Sequence, residues 1–105
     1  MKFSHIGITS HTIRPGETYV AETKVWVTNA EDHPFRIEWL RYEEDSPVPA
    51  IIKEVAHVGY EVDSLEEASR GLKCILGPFE VHGGKIVAFY ELPDRGVVEL
   101  MQKKK

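Results

Sequence analysis

Two histidines and two glutamates stand out in this sequence because each pair sits in matching surroundings. His5 lies in Ser4-His5-Ile6-Gly7-Ile8, and His57 follows 52 positions later in Ala56-His57-Val58-Gly59-Tyr60. Glu38 lies in Ile37-Glu38-Trp39-Leu40, and Glu99 follows 61 positions later in Val98-Glu99-Leu100-Met101. Each acid is flanked by large apolar residues, where a carboxylate is expensive to bury unless something positive pairs with it. Imidazole plus carboxylate is the donor set of a borderline divalent metal: Zn, Ni, Co, Fe or Mn. Calcium and magnesium favour all-oxygen sets. A lone His or Glu on a half-apolar strand is ordinarily a satisfied surface or core group. Recurrence of all four by internal symmetry is what singles these out.

The elements that must position them are mostly strands. Residues 3–9 alternate and are β-rich, and 19–29 reads as strand with a break near Glu22. A polar turn over 29–34 leads to a strand over 35–42, then a Pro-containing acidic connector over 43–49 and one helical turn over 50–54. In the second half a strand covers 55–63. Ser64, with Glu67 three residues on, forms a capping box for a short helix over 65–73. Strands follow at 79–82, 85–91 and 96–102, with hairpin turns at Gly83-Gly84 and at Pro93-Asp94-Arg95-Gly96.

The repeat also aligns Thr23-Lys24-Val25-Trp26-Val27 with Gly84-Lys85-Ile86-Val87-Ala88, at the same offset of 61 and without a gap. The offset therefore grows by nine residues after the first matching strands. That is about the length of the helix at 65–73, so the first half has lost or shortened its own. Strand parity puts His5 with Gly7 and Thr9, and His57 with Gly59 and Glu61. Glu61 reads either as a further proton carrier or as a solvated strand residue. His11, His33 and His82 have no symmetry partner and read as surface groups.

Bulk properties bound the rest. The 105 residues make one domain, 42% hydrophobic and 29% charged, with a net charge of -4. Neither nucleic acid nor an anionic membrane is expected as partner, since phosphate binding needs a basic face. The basic run at 103–105 reads as a frayed tail. One cysteine, Cys74, excludes an internal disulfide and reads as a small buried hydrophobe in a reducing compartment. No stretch has transmembrane length and no signal-peptide core opens the chain, so a cytoplasmic location is the expectation.

Four stretches resemble the vicinal oxygen chelate superfamily: residues 3–9, Ile37-Glu-Trp-Leu-Arg-Tyr-Glu-Glu-Asp-Ser-Pro47, Ala56-His-Val-Gly-Tyr-Glu-Val-Asp-Ser-Leu-Glu-Glu-Ala68, and Gly96-Val-Val-Glu-Leu-Met101. In motif they look most like the methylmalonyl-CoA epimerase and glyoxalase I branches. The resemblance implies an α+β fold in which two βαβββ-type modules, 1–49 and 50–105, form a cup-shaped mixed sheet, the first module's helix reduced or absent. It implies that His5, Glu38, His57 and Glu99 hold the metal. It further implies isomerase or lyase chemistry on a small α-hydroxy-carbonyl or 2-acyl compound, through an enediolate, with Glu99 or Glu38 moving the proton. The concave face of the cup that the resemblance implies should also include Lys24, Trp26 and Thr28, and Lys85, Val87 and Phe89. Trp26 and Phe89 would form an apolar wall. Lys24, Arg36 and Lys85 would meet a substrate carboxylate or phosphate, or else serve as charges that keep strand edges from aggregating. The competing readings are a non-catalytic small-molecule-binding module of the same fold, and a structural protein that keeps these residues for packing. A missing first helix would leave Val25, Val27, Ile37 and Trp39 uncovered, which points to a homodimer.

Overall fold

The computed structural model describes residues 1–81 and 83–103. His82, Lys104 and Lys105, for which a surface position and a frayed tail are expected, lie outside them.

Each half contributes four strands to one eight-stranded sheet. The first half gives β1 (Lys2–Thr9), β2 (Thr18–Val20), β3 (Val25–Val27) and β4 (Ile37–Tyr42), and the second gives β5 (His57–Glu61), β6 (Lys73–Val81), β7 (Lys85–Glu91) and β8 (Val97–Lys103). The order across the sheet is β2-β3-β4-β1-β5-β8-β7-β6. β1 and β5 pair antiparallel at the centre; each then pairs in parallel with the last strand of its own half, β4 or β8. The two halves are thus related by a pseudo-twofold axis between β1 and β5. The fold is α+β, as the sequence implies.

Helical structure is sparse. α1 (Ala50–Glu54) falls where one helical turn is expected. α2 (Leu65–Ala68) is capped at Ser64, whose side chain accepts from the Glu67 N–H. It is shorter than the 65–73 expected. Gly71, at φ 82°, turns the chain, and β6 begins at Lys73 rather than 79. Two register irregularities along β6, between Cys74 and Leu76 and between Leu76 and Phe79, break the alternation that would have revealed a strand there. Cys74 is consequently exposed, not buried. Gly83 and Gly84, in the turn between β6 and β7, both have positive φ, 84° and 70°, a backbone that glycine adopts without steric cost. Lys103 belongs to β8, opposite Lys85.

Between β1 and β2 the first half has no helix. The segment over 10–17 lies instead on the sheet's outer face. The Arg14 guanidinium sits 4.1 Å from the centroid of the Trp39 ring, and Glu17 accepts two hydrogen bonds from Arg41, at 3.0 and 2.7 Å. Arg41 in turn lies 5.3 Å from Trp26. Guanidinium groups over indole rings replace helix packing on that side. The outer face of the second half is packed conventionally, with Leu65 of α2 against Ala88, Tyr90 and Leu100. Among the described residues, no helix is long and apolar enough to cross a membrane.

Candidate metal centre

The inner, concave face carries the four residues singled out by symmetry. One ligand atom from each of His5, Glu38, His57 and Glu99 falls in a group whose members all lie within 4.8 Å of one another. The Glu99 carboxylate is 3.0 Å from His5 Nε2 and 3.2 Å from His57 Nε2. Glu38 stands farther off, at 3.6 and 3.9 Å, and the two Nε2 atoms are 3.4 Å apart. Ligands about 2.1 Å from a common ion are separated by roughly 3.0–3.5 Å, so the spacing and chemistry of these donors fit a divalent metal.

The strand pairing explains how the rings reach this position. His5 is the register partner of Gly59, and Gly7 is the partner of His57. Each imidazole lies over the glycine of the opposite strand. A Cβ on Gly7 would come 2.1 Å from His57 Cε1, and one on Gly59 would come 2.3 Å from His5 Cε1. The paired His-x-Gly spacing is therefore a device for bringing two rings to the centre of a sheet. Gly7→Ala or Gly59→Ala is expected to destabilise the chain by about 1–3 kcal/mol and to push one ring off the cluster. Thermal melts and metal titration of the two variants would check this, and wild-type values in both would refute it.

The two halves differ in how they orient their rings. Ser4, bulged out of register between Phe3 and His5, places its Oγ 3.0 Å from His5 Nδ1. That hydrogen bond leaves Nε2 facing the cluster. His57 Nδ1 is buried with no such partner among the described residues, and its ring is held by packing, with the Phe89 ring 5.1 Å away at 83°.

Without a metal the charges distribute unevenly. Burial, and then repulsion from Glu99, push the Glu38 carboxyl up to about 7. Burial acts the same way on Glu99 but is outweighed by hydrogen bonds from both histidines, which bring it down to about 2. For His5, burial favours the neutral ring, yet the hydrogen bond to Glu99 and the charges of Glu99 and Glu38 raise its pKa overall.

A cavity of about 710 Å³ opens over the cluster, a size typical of small-molecule sites. Arg36, Lys85 and Phe89 line it as expected; Lys24 and Trp26 do not. Lys24 pairs with Asp45 at 2.6 Å, and Trp26 Nε1 donates to Glu43. Val25 and Val27 take their place on the inner face. The reason is register: Val27 pairs with Leu40, whereas Val87 pairs with Met101, so the β3–β4 connection is one residue shorter than its counterpart. The gapless repeat alignment misses that residue, and a one-residue slip exchanges the two faces of a strand. The outer surface left by the missing helix is likewise lined by Trp26, Ile37 and Trp39 rather than by Val25 and Val27.

Glu61 also lines the cavity, tied to Lys85 at 3.2 Å; that hydrogen bond holds its carboxyl below the usual range. His11 is exposed, and His33 Nδ1 accepts from the Phe35 N–H, away from the site. Parity on β4 also brings Tyr42 to the inner face, and the connector and α1 add Val48 and Ile52. Tyr42 shares the face of Glu38 by strand parity, whereas Ser4, Val48 and Ile52 do not announce themselves in the sequence, because none has a symmetry mate of its own type.

The chain is similar in structure to methylmalonyl-CoA epimerase from Mycobacterium tuberculosis, with a TM-score of 0.65 over 99% of this chain and 89% of that one. The two are 13% identical, so the likeness is one of fold. No family model matches the sequence, and no curated protein matches it.

Proposed function

We propose that the protein is a divalent-metal-dependent isomerase or lyase of the glyoxalase and epimerase type, acting on a small carbonyl compound. The observation that carries this reading is the convergence of two imidazoles and two carboxylates, and no other metal-type donor set among the described residues, beneath a mostly apolar cavity. A transition-metal ion held by His5, Glu38, His57 and Glu99 would supply a Lewis acid for the negative charge that develops when a proton leaves the carbon beside a carbonyl. The chain's own groups divide the remaining work. Glu99, buried between both imidazoles, is a fixed ligand. Glu38 is the outlying donor with about a quarter of its side chain exposed to the cavity, so it is the carboxylate free to reach a substrate carbon and carry the proton. Phe89, Val87 and Leu40 keep bulk water away from that transfer.

A specific feature favours the second reading, a small-molecule-binding module without catalysis. β2 and β3 are three residues each, against nine and seven for β6 and β7, so the first half holds a ligand with less wall. The two are separated by elemental analysis of protein purified without added metal, together with exchange of solvent deuterium into 2-hydroxyacetophenone. Stoichiometric transition metal with exchange supports the enzyme. Metal-free protein that stays so in excess nickel, zinc or manganese removes both the metal and the enzyme.

The same reading includes a homodimer. Arg14 and Glu17 cover much of the outer face, but Ile13 and Phe35 remain 75% and 76% exposed. Sedimentation at micromolar concentration is expected to give twice the chain mass; a monomer there would leave these residues as isolated surface hydrophobes.

A further inference from the structure

The cavity is polarised along its length, and one cation in its lining, Arg36, has no ion-pair partner among the described residues. β4 sets the order: Arg36 precedes the strand, Glu38 lies within it, and Tyr42 ends it where the chain turns toward α1. Beyond Tyr42 the cavity is closed by Val48 and Ile52, buried and packed against Val97. At the Arg36 end the backbone adopts φ 61°, a left-handed conformation uncommon for a long side chain. It is secured by hydrogen bonds from its own N–H to His33 O at 3.1 Å and from the Ile6 N–H to its carbonyl at 2.9 Å. Strain of this kind persists where the surroundings dictate it. Here it delivers the side chain to the cavity wall, where Nε donates to the Ser4 carbonyl at 2.7 Å, next to His5.

That bond occupies only the Nε edge. The two terminal amino groups have no hydrogen-bond partner among the described residues, and no ion pair there includes Arg36. Lys85, the other cation lining the cavity, is neutralised by Glu61. Among the described residues the lining therefore offers one positive charge outside any ion pair, with a free planar fork, the geometry that takes a carboxylate bidentately.

We infer that the ligand is a small hydrophobic carboxylic acid, its carboxylate on the Arg36 fork and its hydrocarbon body directed toward Val48 and Ile52. This rests on the concave face being the substrate cavity, as proposed above. A carboxylate matches the single free charge. A dianionic phosphate does not: its second charge would find no further unpaired cation among the described lining residues, which also include Glu31, Glu38 and Glu99.

The test compares 3-phenylpropanoate, 3-phenylpropanol and 2-phenylethyl phosphate by calorimetry on wild type, Arg36→Gln, Arg36→Lys and Lys85→Gln, each with and without prior treatment with EDTA. Wild type is expected to bind the acid at least tenfold more tightly than the alcohol and more tightly than the phosphate. That preference is expected to vanish in Arg36→Gln, fall in Arg36→Lys, and persist in Lys85→Gln and after EDTA. The Arg36 Nε–H resonance of the unaltered chain should shift with the acid and not with the alcohol, which covers the case of an unfolded variant. Equal binding of acid and alcohol, tighter phosphate binding, or a preference that survives in Arg36→Gln would overturn the inference. So would a preference abolished by EDTA, which would place the carboxylate on the metal and leave the metal reading standing.

Discussion

Glu38→Gln is expected to retain metal while slowing deuterium exchange into 2-hydroxyacetophenone by roughly 10²- to 10⁴-fold, the usual contribution of a positioned proton carrier. Glu99→Gln is expected to lose the metal itself. The two glutamates are equivalent by sequence symmetry, and their surroundings make them unequal. Glu99 is the nearer partner of both imidazoles, at 3.0 and 3.2 Å, and is buried. A neutral amide there weakens two short contacts at once. The fall in metal affinity should exceed the roughly 10- to 100-fold that loss of an outer partner brings. Glu38 lies 3.6 and 3.9 Å from the same nitrogens and opens on the cavity. An amide oxygen there still serves as a donor but takes up no proton. Elemental analysis beside exchange rates separates the roles. Equal metal loss in both variants, or full exchange in Glu38→Gln, would show that the division does not exist.

Much of the site was legible because symmetry repeats chemistry. His5 with His57, and Glu38 with Glu99, each recur within matching apolar strands, and the sheet's central antiparallel pair brings the two halves face to face. The glycine two residues after each histidine was equally visible, but its meaning is geometric: only the cross-strand register shows that Gly7 makes room for His57 and Gly59 for His5. Ser4 was hidden for the opposite reason. It belongs to a bulge that the second half does not reproduce, and its partner in the repeat is Ala56.

Errors arose where the halves diverge by a small count. One residue fewer between β3 and β4 moves Val25 and Val27 inward and sends Lys24 and Trp26 outward, so two expected substrate contacts became outer-face groups. Periodicity within a strand carries no information on the length of the turn that follows it. The loss of the first helix was readable from the nine-residue offset; its replacement by Arg14 over Trp39 and by Glu17 with Arg41 was not, because such contacts depend on a loop's path rather than its pattern.

The metal-free protein is expected to lose stability as pH rises from 5 to 8, while the metal-saturated protein gains it. In the absence of metal, Glu38 titrates near 7, above the ordinary carboxylate value of 4.5, so between those two points the folded chain holds a proton that the unfolded chain has released. Stability then declines with rising pH, by about 1.4 kcal/mol per unit for each such proton. His5 acts in the same direction: its raised pKa stabilises the fold fully below 6.5, and the benefit goes as pH passes the folded value. Glu99 has the opposite sign, but its window lies between 4.5 and about 2 and leaves the slope above pH 5 untouched. Glu17 and Asp45, held low by hydrogen bonds to Arg41 and Lys24, likewise act only in acid. Metal reverses the slope because all four donors must be deprotonated to bind it, so its affinity climbs through the same interval. At a thousandfold excess over Kd it adds about 4 kcal/mol. Thermal midpoints measured from pH 5 to 8, with EDTA and with excess zinc or manganese, should therefore run in opposite directions and diverge by several degrees. In His57→Ala, with one ligand gone, added metal should no longer reverse the slope. Parallel slopes in the wild-type protein would mean that these four side chains do not share a metal.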